Sequence, residues 1–387
     1  MTGRDTRAVR VGTERSGFQE TSEALFLTSG YVYDRAEDAL AAFDGSVERY
    51  TYSRFNNPTV TAFAERLADM EGAEACFPVA SGMAGVFGVM IALLSKGDRV
   101  VASRNLFGSC YSVLAEILPR FGIVTEFVDG TDLDQWREAL RRPAKAVFFE
   151  SPSNPMQEIV DIAAVSDLAH AAGALVIADN AMASPAAQTP TRLGADLVVY
   201  STTKHIDGQG RTLGGAILGS DEFINGPVKT LVRNTGPTMS PFTAWVALKG
   251  LETLRLRVEH ASGTALAVAR SLEADPRVAW VRYPFLASHP QHDLARRQMS
   301  AGGTIVTFAI DGGRAEAFAA INALTAFDIS NNFGDAKSMV THPATTTHYR
   351  IGPEARARVG ITDGTIRLSI GLEDAADLVD DLNAALG

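Results

Sequence analysis

The sequence predicts an α/β protein: a large domain on a mostly parallel, doubly wound sheet, followed by a smaller C-terminal α+β domain. Three observations predict it. Between residues 79 and 215, short apolar runs alternate with segments of helical periodicity, and strands joined by helical crossovers pair in parallel. A long apolar-periodic stretch from residue 244 towards 272 reads as one helix bridging two units. Beyond it, strands and helices follow in a different rhythm. At 387 residues the chain has room for both units, and it shows no internal repeat or low-complexity segment.

Residues 1–55 form an N-terminal arm, polar and irregular, with an apolar patch at 24–28 and a short helix over 36–43. So little core of its own leads us to expect it on another part of the protein or on a neighbouring subunit. Tyr52–Thr59 (YSRFNNPT) follows, where Asn57-Pro58 places a proline at a helix start, and Val60, Phe63, Ala64, Leu67 and Met70 recur at helical spacing. The large domain, 56–244, then reads as helix 86–94, strand 99–102, helix 111–118, strand 123–128, helix 133–140 and strand 146–149. Helix 162–171 and strands 174–178 and 197–200 complete it. The C-terminal domain, 245–387, carries strands 278–281, 304–310 and 365–369 and helices 315–323 and 374–386.

A hydrophobic fraction of 46% with 21% charged residues predicts a sizeable core. The net charge of −10, without any basic run, argues against nucleic acid as a partner. Two cysteines, Cys76 and Cys110, are too few for a disulfide framework. The N-terminus has no apolar signal core, and the longest apolar run, 79–94, falls short of the ~20 residues that span a bilayer. A cytoplasmic enzyme fits, with no membrane partner. His289 and His292 are three apart but flank Pro290 and join no carboxylate cluster, so no metal site is expected.

The stretch Tyr200–Gly215 (YSTTKHIDGQGRTLGG) places Lys204 at the carboxyl end of an apolar strand, where open α/β sheets put their ligands. A desolvated lysine there can serve as a Schiff-base amine. Asp179 closes the apolar run ALVIA, and a buried carboxylate needs a partner such as a protonated pyridine nitrogen. Taken alone, it also fits a helix cap. The two residues are 204 − 179 = 25 apart, room for one crossover. Ser81-Gly82-Met83 leads into a helix whose N-terminal N–H groups suit a phosphate, though a tight turn needs the same residues. Ser201 and Thr203 are placed to add hydroxyls. Lysine, acid and phosphate cradle are the provisions that pyridoxal phosphate requires. Ser201-Thr202-Thr203-Lys204 also fits the S-x-x-K of serine acyltransferases, but the companion S-D-N and K-T-G tripeptides are absent.

In this order and spacing, YSRFNNPT, SGMAG, ESPSNP, ADN and STTKH closely resemble the pyridoxal-phosphate enzymes of cysteine and methionine metabolism. This is the cystathionine γ-synthase-like branch of the aspartate-aminotransferase-like fold (fold type I). The resemblance covers nearly the whole chain. It implies Lys204 as the Schiff-base lysine, Asp179 on the pyridine nitrogen, Gly82, Met83, Ser201 and Thr203 around the phosphate, and Asn154 at the ring hydroxyl. Phe107 stands where most members stack a tyrosine on the ring, so Lys204 would shuttle the Cα and Cβ protons without a phenol. Tyr52 and Arg54 would cross a dimer interface to a neighbour's phosphate, in a homotetramer built from dimers that share active sites. Arg367 would clamp the substrate's α-carboxylate beside Asn332.

Residues 19–30, 236–241 and 331–348 look most like the members that act on O-succinylhomoserine. The implied reaction is γ-replacement of an O-acylhomoserine by sulfide, giving homocysteine and the free acid. Cystathionine γ-synthase, O-acetylhomoserine sulfhydrylase and γ-lyase chemistry share these motifs. Arg211 and Arg233 are candidates for a distal succinyl carboxylate, and His342 and His348 for structural or substrate-orienting roles.

Overall fold

The strand sequences AVFFE and LVIAD are apolar almost throughout because both faces of their sheet are covered. In the computed structural model, which describes residues 3–387, they lie near the middle of a seven-stranded sheet. The first two residues of the expected arm lie outside the described residues. The strands are β1 (Ala75–Val79), β2 (Arg99–Ser103), β3 (Val124–Val128), β4 (Ala146–Glu150), β5 (Leu175–Asp179), β6 (Leu197–Ser201) and β7 (Gly215–Gly219). A second set follows: β8 (Val278–Arg282), β9 (Ile305–Ile310), β10 (Asp328–Ile329), β11 (Met339–Thr341) and β12 (Thr365–Ser369). The large sheet runs β1-β7-β6-β5-β4-β2-β3 and the smaller one β10-β11-β12-β9-β8.

Side chains alternate across the large sheet. Val147, Phe149, Val176, Ala178, Val198 and Tyr200 enter one core, while Ala146, Phe148, Ile177 and Val199 enter the other. The doubly wound architecture follows directly. From β3 to β6 the neighbours are parallel, whereas β7 runs antiparallel to both β6 and β1.

The helix Pro241–Ala274 starts behind a Ser240 cap whose hydroxyl accepts from the Thr243 N–H. Its first half buries Ala244, Leu248, Leu251 and Val258 against the large sheet, and its second half gives Ala265, Val268 and Leu272 to the core of the smaller one. One helix thus joins both units. The helix 36–43 forms as expected. Large apolar side chains of the arm remain in solvent, with Phe18 94%, Val32 88% and Leu27 70% exposed. Among the described residues no helix is long and apolar enough to cross a membrane.

Candidate active site

Three strand ends build the site. Glu150 closes β4, Asp179 closes β5 in register with it, and Ser201 closes β6. After Ser201 the chain turns tightly, with the Asp207 N–H donating to Thr202 O at 2.9 Å and the Gly208 N–H to Lys204 O at 2.8 Å. Gly208 sits at φ +67°, and a Cβ there would meet the Arg257 guanidinium at 1.9 Å. Only glycine fits. Arg257 in turn donates to His205 O and Gly250 O, both at 2.8 Å, and fastens the turn to the long helix.

Held on this turn, the Lys204 ammonium donates to Asn332 Oδ1 and lies 4.6 Å from the centre of the Phe333 ring. Burial, and then the charge of Arg367, pull its pKa down to about 8. Little of the usual penalty for an uncharged amine therefore remains near neutrality. Arg367, buried in β12, donates to Asn154 Oδ1 at 3.0 Å and to the carbonyls of Asn331 and Asn332 at 3.1 and 2.9 Å. Its Nε is buried without an acceptor, and burial lowers its pKa to about 10.

Asp179 is 8% exposed, accepts from the Ala181 N–H at 3.0 Å, and has the Cys110 thiol 3.9 Å away. Among the described residues no cation touches it. Burial accordingly raises its pKa to about 6. Nearby, Ser81 caps the helix Gly82–Leu93, leaving the N–H groups of Gly82 and Met83 outside the helical ladder. A Cβ on Gly82 would come within 2.8 Å of Ser201 Cβ, so glycine is what lets the helix start against β6. The Met83 sulfur lies 3.8 Å from Cys110 Sγ, which links the cradle to Asp179.

Lys204, Asn332, Arg367 and Asn154 thus form one hydrogen-bonded chain, and Asp179, Gly82, Met83 and Ser201 lie around neighbouring strand ends. Thr203 is differently engaged: its hydroxyl accepts from the Gly214 N–H at 3.1 Å and closes the loop. Tyr52 and Arg54 are not brought to this place within one chain. Arg54 donates to Arg233 O and stacks on Phe55, its guanidinium 4.9 Å from the ring centre.

The candidates for an acyl carboxylate, Arg211 and Arg233, and for orienting roles, His342 and His348, have contacts within the chain. Arg211 is committed to buried Asp207, pairing at 2.8 Å, so it braces the loop. Arg233 lies 4.0 Å over Phe55. His342 is held at 2.9 Å by Thr345 Oγ1 and at 2.8 Å by Asp363 O, so both ring nitrogens are engaged. His348 lines a cleft of about 430 Å³ with Asn154, Arg104 and Arg358, and burial lowers its pKa to about 4.

Sequence reasoning passed over Glu150, although its signal matches that of Asp179: a carboxylate ending a buried apolar strand. It accepts from the N–H groups of Phe107 and Asn154 at 2.8 and 3.0 Å.

A buried carboxylate without a cation, a buried guanidinium with an idle N–H, a helix N-terminus and a softened lysine fit a group with a ring nitrogen, a phosphate and a carbonyl carbon. Fold and site together define an α/β enzyme that uses such a cofactor. The chain belongs to the Cys/Met metabolism PLP-dependent enzyme family, whose model matches residues 5–387. It is 60% identical over 385 residues to O-succinylhomoserine sulfhydrylase of Mycobacterium tuberculosis, covering 98% of this chain and 95% of that one. With the Pseudomonas aeruginosa protein of the same name it shares 49% over 382 residues, 99% and 94% of the two chains. A solved Campylobacter jejuni structure carrying N'-pyridoxyl-lysine-5'-monophosphate superposes with a TM-score of 0.95 at 32% identity, covering 99% of each chain.

Proposed function

We propose that this enzyme catalyses γ-replacement on O-succinylhomoserine, with sulfide as nucleophile, to give homocysteine and succinate. The supporting observation is the 60% identity, across almost the full length of both chains, to a protein named for that activity. The site chemistry agrees with it. When bound, pyridoxal 5'-phosphate supplies a carbonyl that takes up amines and a ring that accepts electrons from a neighbouring carbanion.

The chain's own residues do the rest. Lys204 and Asp179 hold the cofactor at its carbonyl carbon and ring nitrogen, and Gly82, Met83 and Ser201 receive its phosphate. Thr203 shapes the loop beside them. Phe107 would pack against its ring and Asn154 would meet its hydroxyl. Arg367 orients the amino acid by its α-carboxylate, using the Nε that now lacks an acceptor, with Asn332 beside it. The Lys204 amine removes the Cα proton and serves again at Cβ, the titratable group within reach of both. The cytoplasm, which keeps Cys76 and Cys110 as thiols, is its compartment.

The product assay is decisive: O-succinyl- and O-acetylhomoserine, each offered sulfide or cysteine. Homocysteine with succinate is expected as the main product pair. Cystathionine as the main product, or 2-oxobutanoate without added nucleophile, would move the assignment to a γ-synthase or a γ-lyase.

The arm and its exposed apolar residues support a division into arm 1–55, cofactor domain 56–244 and C-terminal domain 245–387, with the arm packed on a second subunit of a homotetramer. Tyr52 and Arg54 then reach the neighbour's phosphate. Co-refolding equal amounts of two inactive variants, Arg54→Ala and Lys204→Ala, is expected to restore about one quarter of wild-type activity. Half of the dimers are then mixed, and each mixed dimer has one intact site. Absence of any recovery would mean that Arg54 serves its own chain.

A further inference from the structure

Glu150 is the carboxylate that no role above absorbs. It is buried at 3% exposure, stands beside Asp179 on the adjacent parallel strand, and among the described residues has no cation in contact. In-register neighbours on parallel strands lie about 4.8 Å apart and point to the same face. Two carboxylates therefore share one dry strand end, an arrangement that burial of a single apolar side chain would avoid at lower cost.

What the second one does is visible in its partners. One oxygen accepts from the N–H of Phe107, which follows β2, and the other from the N–H of Asn154, which follows β4. The side chain of that same Asn154 accepts from Arg367. A single carboxylate thus ties the segments after β2 and β4 together and leads, through one more hydrogen bond, to the guanidinium on β12. We propose that Glu150 is a positioning residue: it fixes the backbones of Phe107 and Asn154, and through Asn154 it sets the orientation in which Arg367 receives a substrate carboxylate. Burial, and then the charge of Asp179, push the Glu150 carboxyl upward; the two N–H donors and Arg367 oppose them, and one N–H aimed at each oxygen is the geometry of the charged form. Both oxygens are already engaged as acceptors, so the geometry favours a group used for holding rather than for proton transfer.

The inference rests on the cofactor assignment above, and one experiment separates the two. Glu150→Gln keeps the shape but turns one acceptor into an NH2 group facing a backbone N–H. The purified holoenzyme is titrated with glycine, which carries the amine and carboxylate but no leaving group, through the cofactor's absorption. Wild type without any cofactor band would overturn the cofactor assignment itself.

Given that band, Glu150→Gln is expected to retain it, bind glycine at least 10-fold more weakly, and raise KM for the acylhomoserine more than it lowers kcat. Glu150→Asp, which keeps both oxygens at shorter reach, falls between the two. Asn154→Ala weakens glycine as well, and Glu150→Gln added to it brings less than a 3-fold further loss, because both act on Arg367 by one route. Wild-type glycine affinity in Glu150→Gln, or full additivity with Asn154→Ala, would overturn the proposal. If Glu150→Gln does not fold, the same cycle run with Glu150→Asp decides between these outcomes.

Discussion

Lys204→Ala is expected to lower homocysteine formation by about 10³-fold or more, because general acid–base catalysis alone contributes 10²–10⁴-fold and the covalent attachment is lost with it. The absorption of the lysine-linked cofactor should vanish, while the fold persists: the turn is held by backbone bonds and by Arg257, not by the amine. Lys204→Arg should fare no better, since a guanidinium stays protonated and cannot take up a proton from carbon.

The wild-type pH profile is expected to carry the matching signature. Burial brings the amine to about 8, and the base must be neutral to act, so kcat is expected to rise with pH through that region. Small primary amines added to Lys204→Ala should return part of the rate with a pH dependence of their own. A variant with a tenth of wild-type activity and an unchanged absorption band would remove Lys204 from the mechanism.

How far these roles were legible in the chain depended on where the physics is local. The large sheet was readable because β4 and β5 are uninterrupted apolar runs; Asp179 stood out because it closes such a run, and Lys204 because it sits in the turn just after another. The strand β1 was hidden by Pro78, which usually excludes a strand and is tolerated here because β1 lies at the edge of the sheet. Its partner β7, GAILG, begins and ends in glycine. A Cβ at Gly215 would strike Ser81 O at 2.3 Å, a demand set by a contact 134 residues away (215 − 81 = 134) and invisible locally.

The same distinction explains the arginines. Arg211 and Arg367 both read as cations near a site, but only the fold reveals that the first spends its charge on Asp207 and the second has an N–H to spare. Tyr52 stays exposed and Arg54 donates to Arg233 O, so a single chain gives neither of them a place at the site, and the role proposed for them needs a second chain.

Asp179→Asn should move function and stability in opposite directions. The amide keeps the shape and can still accept from the Ala181 N–H, but it removes the negative charge that would face a protonated ring nitrogen. Breaking a buried ion pair by removing one partner costs about 3–5 kcal/mol, so cofactor affinity is expected to fall by roughly 10²–10⁴-fold, with kcat falling as the ring loses its proton.

Without cofactor the sign reverses. Burial lifts the Asp179 pKa from 3.8 to about 6, so above pH 6 the folded chain carries an uncompensated charge that the unfolded chain would hold in water. That penalty is on the order of 1–3 kcal/mol and is absent below the unfolded value near 3.8. The cofactor-free Asn variant should therefore melt at a higher temperature than cofactor-free wild type at pH 7.5, with the gap closing as the pH is lowered towards 4. A lower melting temperature at pH 7.5 would mean that Asp179 has a stabilising partner in the empty site, and the case for a ring nitrogen as that partner would fall with it.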